Sequence, residues 1–205
     1  MSPRWLLASP DRVAPRLLGA RLVSEVDGER VEVTITEVEA YGGVGQDPGS
    51  HAFRGMTPRN ATMFGPAGRA YVYFTYGMHW CANVVTGREG AAAAVLLRAG
   101  EVTAGVEAAR ARRPTSRTDR DLARGPARLT AALGISGLVD GADLLDPASP
   151  LRLLLRRTPM PVVAITPRTG VGGAGAPTPW RFVADSPTVS PYRPSRPRVR
   201  KDDCS

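Results

Sequence analysis

Tyr71 to Val85 reads YVYFTYGMHWCANVV. Two runs rich in β-branched and aromatic residues, Tyr71–Tyr76 and His79–Val85, flank Gly77-Met78, so the stretch predicts two strands joined by a tight turn. Period-two alternation sets Tyr71 and Tyr73 on one face and Phe74 on the other, with Tyr76 beside the turn. Six of the chain's twelve aromatics lie between Phe64 and Trp80, so one face of this hairpin is free to work while the other packs. The next strand, Ala92–Ala99, carries Arg98 at the end of an apolar run, where a charge needs a partner. Upstream, Ala20–Val26 and Arg30–Val38 read as strands around an Asp27-Gly28 turn. Tyr41–Gly55, with five glycines and a proline, reads as a loop.

Helices are predicted over Arg12–Gly19, over a short segment opened by Thr57-Pro58 toward Met63, over Val102–Arg113, and from Gly125-Pro126 to a stop at Gly134. Leu151–Arg157, Val162–Thr166 and Trp180–Ala184 read as further strands, with a glycine loop over Gly170–Gly175. The chain's 205 residues suit one compact domain, able to bury roughly 70% of its unfolded surface. Residues 193–205 are expected to form a mobile basic tail on a domain spanning 1–192.

Lys and Arg number 27 against 19 Asp and Glu, a net charge of +8, which points to a polyanionic partner. Seven arginines and two aspartates fall between Arg110 and Arg128, a second basic cluster beside the tail's, and either can touch phosphates without reading sequence. The longest apolar run, Ala91–Leu97, is too short to cross a bilayer, so no membrane partner is expected. Cys81 and Cys204 make no disulfide framework and imply a reducing compartment. His51, His79, Cys81 and Cys204 show no zinc-binding spacing, so neither metal nor other cofactor is expected. Lys201 is the single lysine, which leaves the domain body without a Schiff-base amine.

Glu37–Tyr41, EVEAY, sets two carboxylates on one face of a strand end ahead of the glycine-rich loop. Taken alone, such a pair reads as two exposed acids. If the strands pair as neighbours, Glu39, Tyr41, Tyr73, Asn83 and Arg98 converge beside the loop bearing His51. That grouping offers a carboxylate, flat aromatic walls and an amide.

EVEAYGG, then SHAFRGMTPRNATMFGPAGRAYVYFTYGMHWCANVV, AVLLRAGE, RGPARLTAALGI, TPRTGVGGAG and PWRFVADSPTVS closely resemble the alkyladenine (3-methyladenine, N-methylpurine) DNA glycosylase family, over roughly Leu17–Tyr192. The resemblance implies a single mixed α/β domain, an antiparallel sheet flanked by helices, with a protruding hairpin that enters the DNA minor groove. It implies an enzyme that flips damaged purines from duplex DNA and hydrolyses the N-glycosidic bond, acting as a monomer in the cytoplasm on a bacterial nucleoid, or in a nucleus.

Carried onto this chain, the resemblance makes Glu39 the carboxylate that activates water and Arg98 its positioning arginine. Tyr41, His51 and Tyr73 become the residues that sandwich the flipped base, Asn83 the amide that rejects normal guanine, and Tyr76 the side chain filling the vacated stack. Aromatic stacking of about 1–3 kcal/mol per base matches the few kcal/mol that extrusion costs. Two alternatives stay open: a glycosylase that also nicks the strand through the N-terminal amine or Lys201, and a catalytically silent binding module, which the presence of Glu39 argues against.

Overall fold

The computed structural model describes residues 3–194. The tail beyond residue 194, with Lys201 and Cys204, and the N-terminal amine lie outside them.

Eight strands form one antiparallel sheet: β1 (Arg21–Ser24), β2 (Val31–Tyr41), β3 (Ala70–Thr75), β4 (His79–Thr86), β5 (Ala93–Ala104), β6 (Leu151–Leu154), β7 (Val162–Thr166) and β8 (Arg181–Ala184). Among the described residues three short α-helices, α1 (Pro10–Leu17), α2 (Val106–Arg112) and α3 (Pro126–Ala132), pack on it. The main path runs β3-β4-β5-β2-β1-β6, with β8 and then β7 branching from β2. One edge of β2 pairs with β5 along its length; the other is shared by β1 at Val31–Thr34 and β8 at Glu37–Glu39. The second half of β2 is therefore enclosed from both sides, and its acids are buried there.

Register shifts between β2 and β5 set Glu37 opposite Ala99 and Val38 opposite Leu97, so Arg98 is the extra residue of a bulge. Bulges re-aim side chains and gather next to functional sites. The main core, from Leu17 and Leu22 to Val95 and Leu133, lies among the sheet and helices. A smaller cluster of Ala52, Met63, Tyr71, Val85, Ala92 and Ala94 backs the β3–β4 hairpin.

Several element boundaries differ from the sequence reading. The helix expected from Val102 starts at Val106, because Val102 and Ala104 pair with Val33 and Glu32 as the end of β5. Gly105 makes the corner at φ +70°, and a Cβ there would collide with the Arg30 carbonyl. β2 continues to Tyr41, beyond the expected Val38, because β5 and β8 give it partners. Thr57-Pro58 opens no helix. A 3₁₀ turn forms at Ala61–Phe64 instead, behind buried Asn60, whose Oδ1 accepts from Thr57 N at 2.7 Å and whose Nδ2 donates to the His51 and Gly55 carbonyls. The first helix occupies Pro10–Leu17, set by proline at its start, and β6 stops at Leu154, three residues short of Arg157.

Candidate active site

Glu39 is the floor of the site. It sits in the enclosed half of β2 with no exposure to solvent. Its Oε1 accepts from the Thr169 backbone N–H at 2.6 Å, and its Oε2 accepts from the Tyr41 hydroxyl at 2.9 Å and Arg98 Nη1 at 3.2 Å. Burial is the largest influence on its acidity and pushes the carboxyl above its ordinary range, against the pull of Arg98, the Thr169 N–H and Tyr41.

Behind it lies Glu37, also fully buried, which the sequence reading treated as an exposed strand-end acid. Its Oε1 accepts from Arg98 Nε at 2.8 Å, from Arg181 Nε at 2.7 Å and from Ser190 Oγ at 2.9 Å; its Oε2 accepts from Ser190 N at 2.7 Å. Burial pushes Glu37 up, yet Arg98 and Arg181 outweigh it and the carboxyl ends below its ordinary value. Arg98 thus bridges two carboxylates, which resolves the cost of a charge at the end of an apolar run.

Above the floor opens a cavity of about 380 Å³, within the range of small-molecule clefts. Tyr41, His51, Tyr73, Tyr76, Asn83 and Arg98 all line it, together with Tyr71, Cys81, Pro126 and the Thr169–Gly172 loop. Glu39 itself does not reach the cavity surface, but Tyr41, Arg98 and Thr169, which hold it, do. The seven residues singled out from sequence are therefore brought together, six on the wall and one directly beneath it.

The walls are aromatic. The His51 ring stands edge-on to Tyr73 with centroids 4.5 Å apart, and Tyr71 and Tyr73 lie 5.3 Å apart. His51 Nδ1 and the Tyr71 hydroxyl share a hydrogen bond of 3.1 Å. Burial first, and Arg59 second, hold the His51 imidazole below its ordinary pKa, which favours the neutral ring. Asn83 Nδ2 donates to the Tyr71 carbonyl at 2.9 Å, which fixes the amide on the wall. Tyr76 is 88% exposed at the hairpin tip with φ +52°, followed by Gly77 at φ +68°.

Arg168 and Asp47 were not legible as a pair. Arg168, wholly buried, reaches Asp47 through both Nη atoms at 2.6 and 2.7 Å and donates to the Ala40 carbonyl at 3.0 Å. Its guanidinium lies 4.7 Å from the Tyr41 ring centroid and 5.4 Å from Trp180's. Asp47 accepts from the backbone N–H groups of Gly42 and Gly49. One ion pair therefore ties the loop leading to His51 to the loop that presents the Thr169 N–H. No signal in the sequence joins residues 121 positions apart. Among the described residues no group of three His, Cys, Asp or Glu is placed to hold a metal ion, and no helix is long and apolar enough to cross a membrane.

The cavity therefore sets aromatic rings and an amide over a buried, hydrogen-bonded carboxylate. The chain belongs to the methylpurine-DNA glycosylase family, whose model matches residues 4–187. It is similar to proteins named "Putative 3-methyladenine DNA glycosylase": that of Streptomyces avermitilis at 50% identity, covering 96% of this chain and 100% of the relative, and that of Nocardia farcinica at 53%, covering 95% and 92%. The relative from Leifsonia xyli subsp. xyli is 56% identical over 91% of this chain and 90% of its own. The protein is a DNA glycosylase, an enzyme of DNA repair whose substrate is DNA.

Proposed function

We propose that the protein excises alkylated purines such as 3-methyladenine and 7-methylguanine from duplex DNA, with hypoxanthine and ethenoadenine as further candidates, and leaves the abasic strand intact. The observation that carries this reading is a buried carboxylate lying directly beneath an aromatic-lined cavity of about 380 Å³.

In this reading the purine enters between Tyr41, His51 and Tyr73, whose rings offset the cost of extrusion by stacking. Tyr76 at the hairpin tip enters the minor groove and fills the vacated stack. Asn83 faces the base edge and discriminates against the exocyclic amino group of guanine. The glycosidic bond breaks with its electron pair passing to the base, which an N-alkyl cation accepts without being protonated. Positive charge develops on the sugar, and the ionised Glu39 stabilises it. A water then bonds to C1′ and gives its proton to Glu39. Oε1 is the better acceptor, since it takes one protein donor where Oε2 takes two.

Arg113, Arg117 and Arg128 suit DNA phosphates. Arg113 and Arg117 line a second cavity, and Arg113 Nε is buried without a hydrogen-bond partner. Residues 1–192 form the catalytic domain in this proposal, which works as a monomer on chromosomal DNA, and the basic residues beyond 192 add phosphate contacts.

Duplex oligonucleotides each bearing one modified purine test it, with released bases identified by mass. The expected products are free alkylpurine and a strand that breaks only after alkali. Borohydride present during turnover should trap no covalent protein–DNA adduct; a trapped adduct would overturn the monofunctional reading, and unreleased base would overturn the whole.

A further inference from the structure

Glu37, Glu39, Arg98 and Arg181 form one buried cluster of two carboxylates and two guanidiniums, all under 10% exposed. The two acids lie on the same face of β2, Arg98 comes from the bulge in β5, and Arg181 comes from β8, where it is the register partner of Glu39. Formal charge in the cluster sums to zero. Among the described residues only Arg98 joins the two acids: its Nε bonds Glu37 and its Nη1 bonds Glu39. Arg181 bonds Glu37 and then Thr166 and the Ser190 carbonyl, so its reach toward the reaction passes through Glu37. Ser190 gives Glu37 two more donors, its backbone N–H and its hydroxyl.

We infer that Glu37 and Arg181 are positioning residues whose opposite charges, delivered through Arg98, set the basicity of Glu39. The inference rests on the proposed role of Glu39 as the base. Glu37 draws part of the Arg98 charge to itself, which leaves Glu39 a stronger proton acceptor than a carboxylate with sole possession of that guanidinium. Arg181 balances Glu37, so the excess negative charge does not protonate Glu39 at neutral pH. Other groups facing Glu39 are Tyr41 on its own strand, the Thr169 N–H with Arg168 behind Tyr41, and Tyr73 and Cys81 from the hairpin; of these only Arg168 carries charge at neutral pH, and its charge is matched by Asp47.

The test is the pH dependence of single-turnover 7-methylguanine release from duplex DNA by the full chain. Glu37→Gln leaves the cluster with an extra positive charge, so the acid limb moves down by about one pH unit and the plateau rate falls. Arg181→Gln leaves an extra negative charge and moves the limb up by about as much. The double variant restores neutrality and returns the limb to its wild-type position, and Arg181→Lys, which keeps the charge, leaves it there. A purely architectural role predicts instead that both single variants lose rate with the limb fixed, and that the losses add in the double; either result overturns the inference. If Glu37→Gln does not fold, the contrast between Arg181→Gln and Arg181→Lys decides: a shift in the first only supports the inference, and equal behaviour overturns it. A limb that persists in Glu39→Gln overturns the role of Glu39 itself, and the inference with it.

Discussion

The floor of the cavity and the tip of the hairpin are built on opposite terms. At the floor, Glu37 and Glu39 have no solvent exposure, and every charged group there is matched by an opposite charge or several donors. At the tip, Tyr76 and Met78 are 88% and 67% exposed, and Tyr76 holds a left-handed backbone, φ +52°, that an aromatic residue rarely adopts. Positive φ at both Tyr76 and Gly77 falls in a three-residue loop, Tyr76–Met78, between the paired Thr75 and His79, closed by the Met78 N–H donating to the Thr75 carbonyl at 3.2 Å. A tyrosine there costs on the order of 1 kcal/mol relative to glycine. The difference teaches where each part of the proposed reaction is carried: the charge-handling groups are set before DNA arrives, whereas the tip carries apolar surface and strain that only a partner can use.

Four changes break or sharpen that contrast. The largest effect falls on the floor: Glu39→Gln should slow alkylpurine release by about 10²–10⁴-fold while damaged duplex still binds, measured by single-turnover rates and by titration. Next is the Arg168–Asp47 pair beneath Tyr41. Asp47→Asn strands a buried guanidinium and should cost about 3–5 kcal/mol of stability by denaturant unfolding. Stability close to wild type would mean that the floor is less preorganised than its hydrogen bonds imply. At the tip, Tyr76→Ala should weaken binding to damaged duplex by about 1–3 kcal/mol, with a smaller change in unfolding free energy; an equal loss of folding would make Tyr76 a packing residue. The smallest effect is Tyr76→Gly, which relieves the left-handed strain and should leave stability unchanged or raise it by up to about 1 kcal/mol, although excision falls.

The tip was the more legible of the two regions. Strand propensity and the glycine suffice to draw the hairpin, but the strand stops at Thr75, one residue short of the expected Tyr76, and the loop takes Tyr76 as well as Gly77-Met78, so Tyr76 lies in the turn and not beside it. The floor was legible only in part. Arg98 at the end of an apolar run announces that it needs a partner, and Glu39 came with the family resemblance. Glu37 was read as an exposed acid because its burial depends on β8, some 145 residues downstream, closing the free edge of β2. Arg181 and Ser190 were missed for the same reason, and Arg168 because its partner Asp47 lies in a loop with no periodicity to read. Val102–Ala104 went to strand against a helical reading because pairing with Glu32 and Val33 outweighs local propensity.

The central claim is that Glu39 acts as a base held ready above the ordinary carboxylate range. It is tested most directly by the pH dependence of single-turnover 7-methylguanine release in wild type and Glu39→Gln. A carboxyl with a raised pKa loses its ionised form as pH falls through that value, so the wild-type rate should drop on the acid side through a single ionisation above that of an ordinary glutamate. The residual rate of Glu39→Gln should be flat over the same range. The same acid limb in Glu39→Gln, or a wild-type rate indifferent to pH, would contradict the claim.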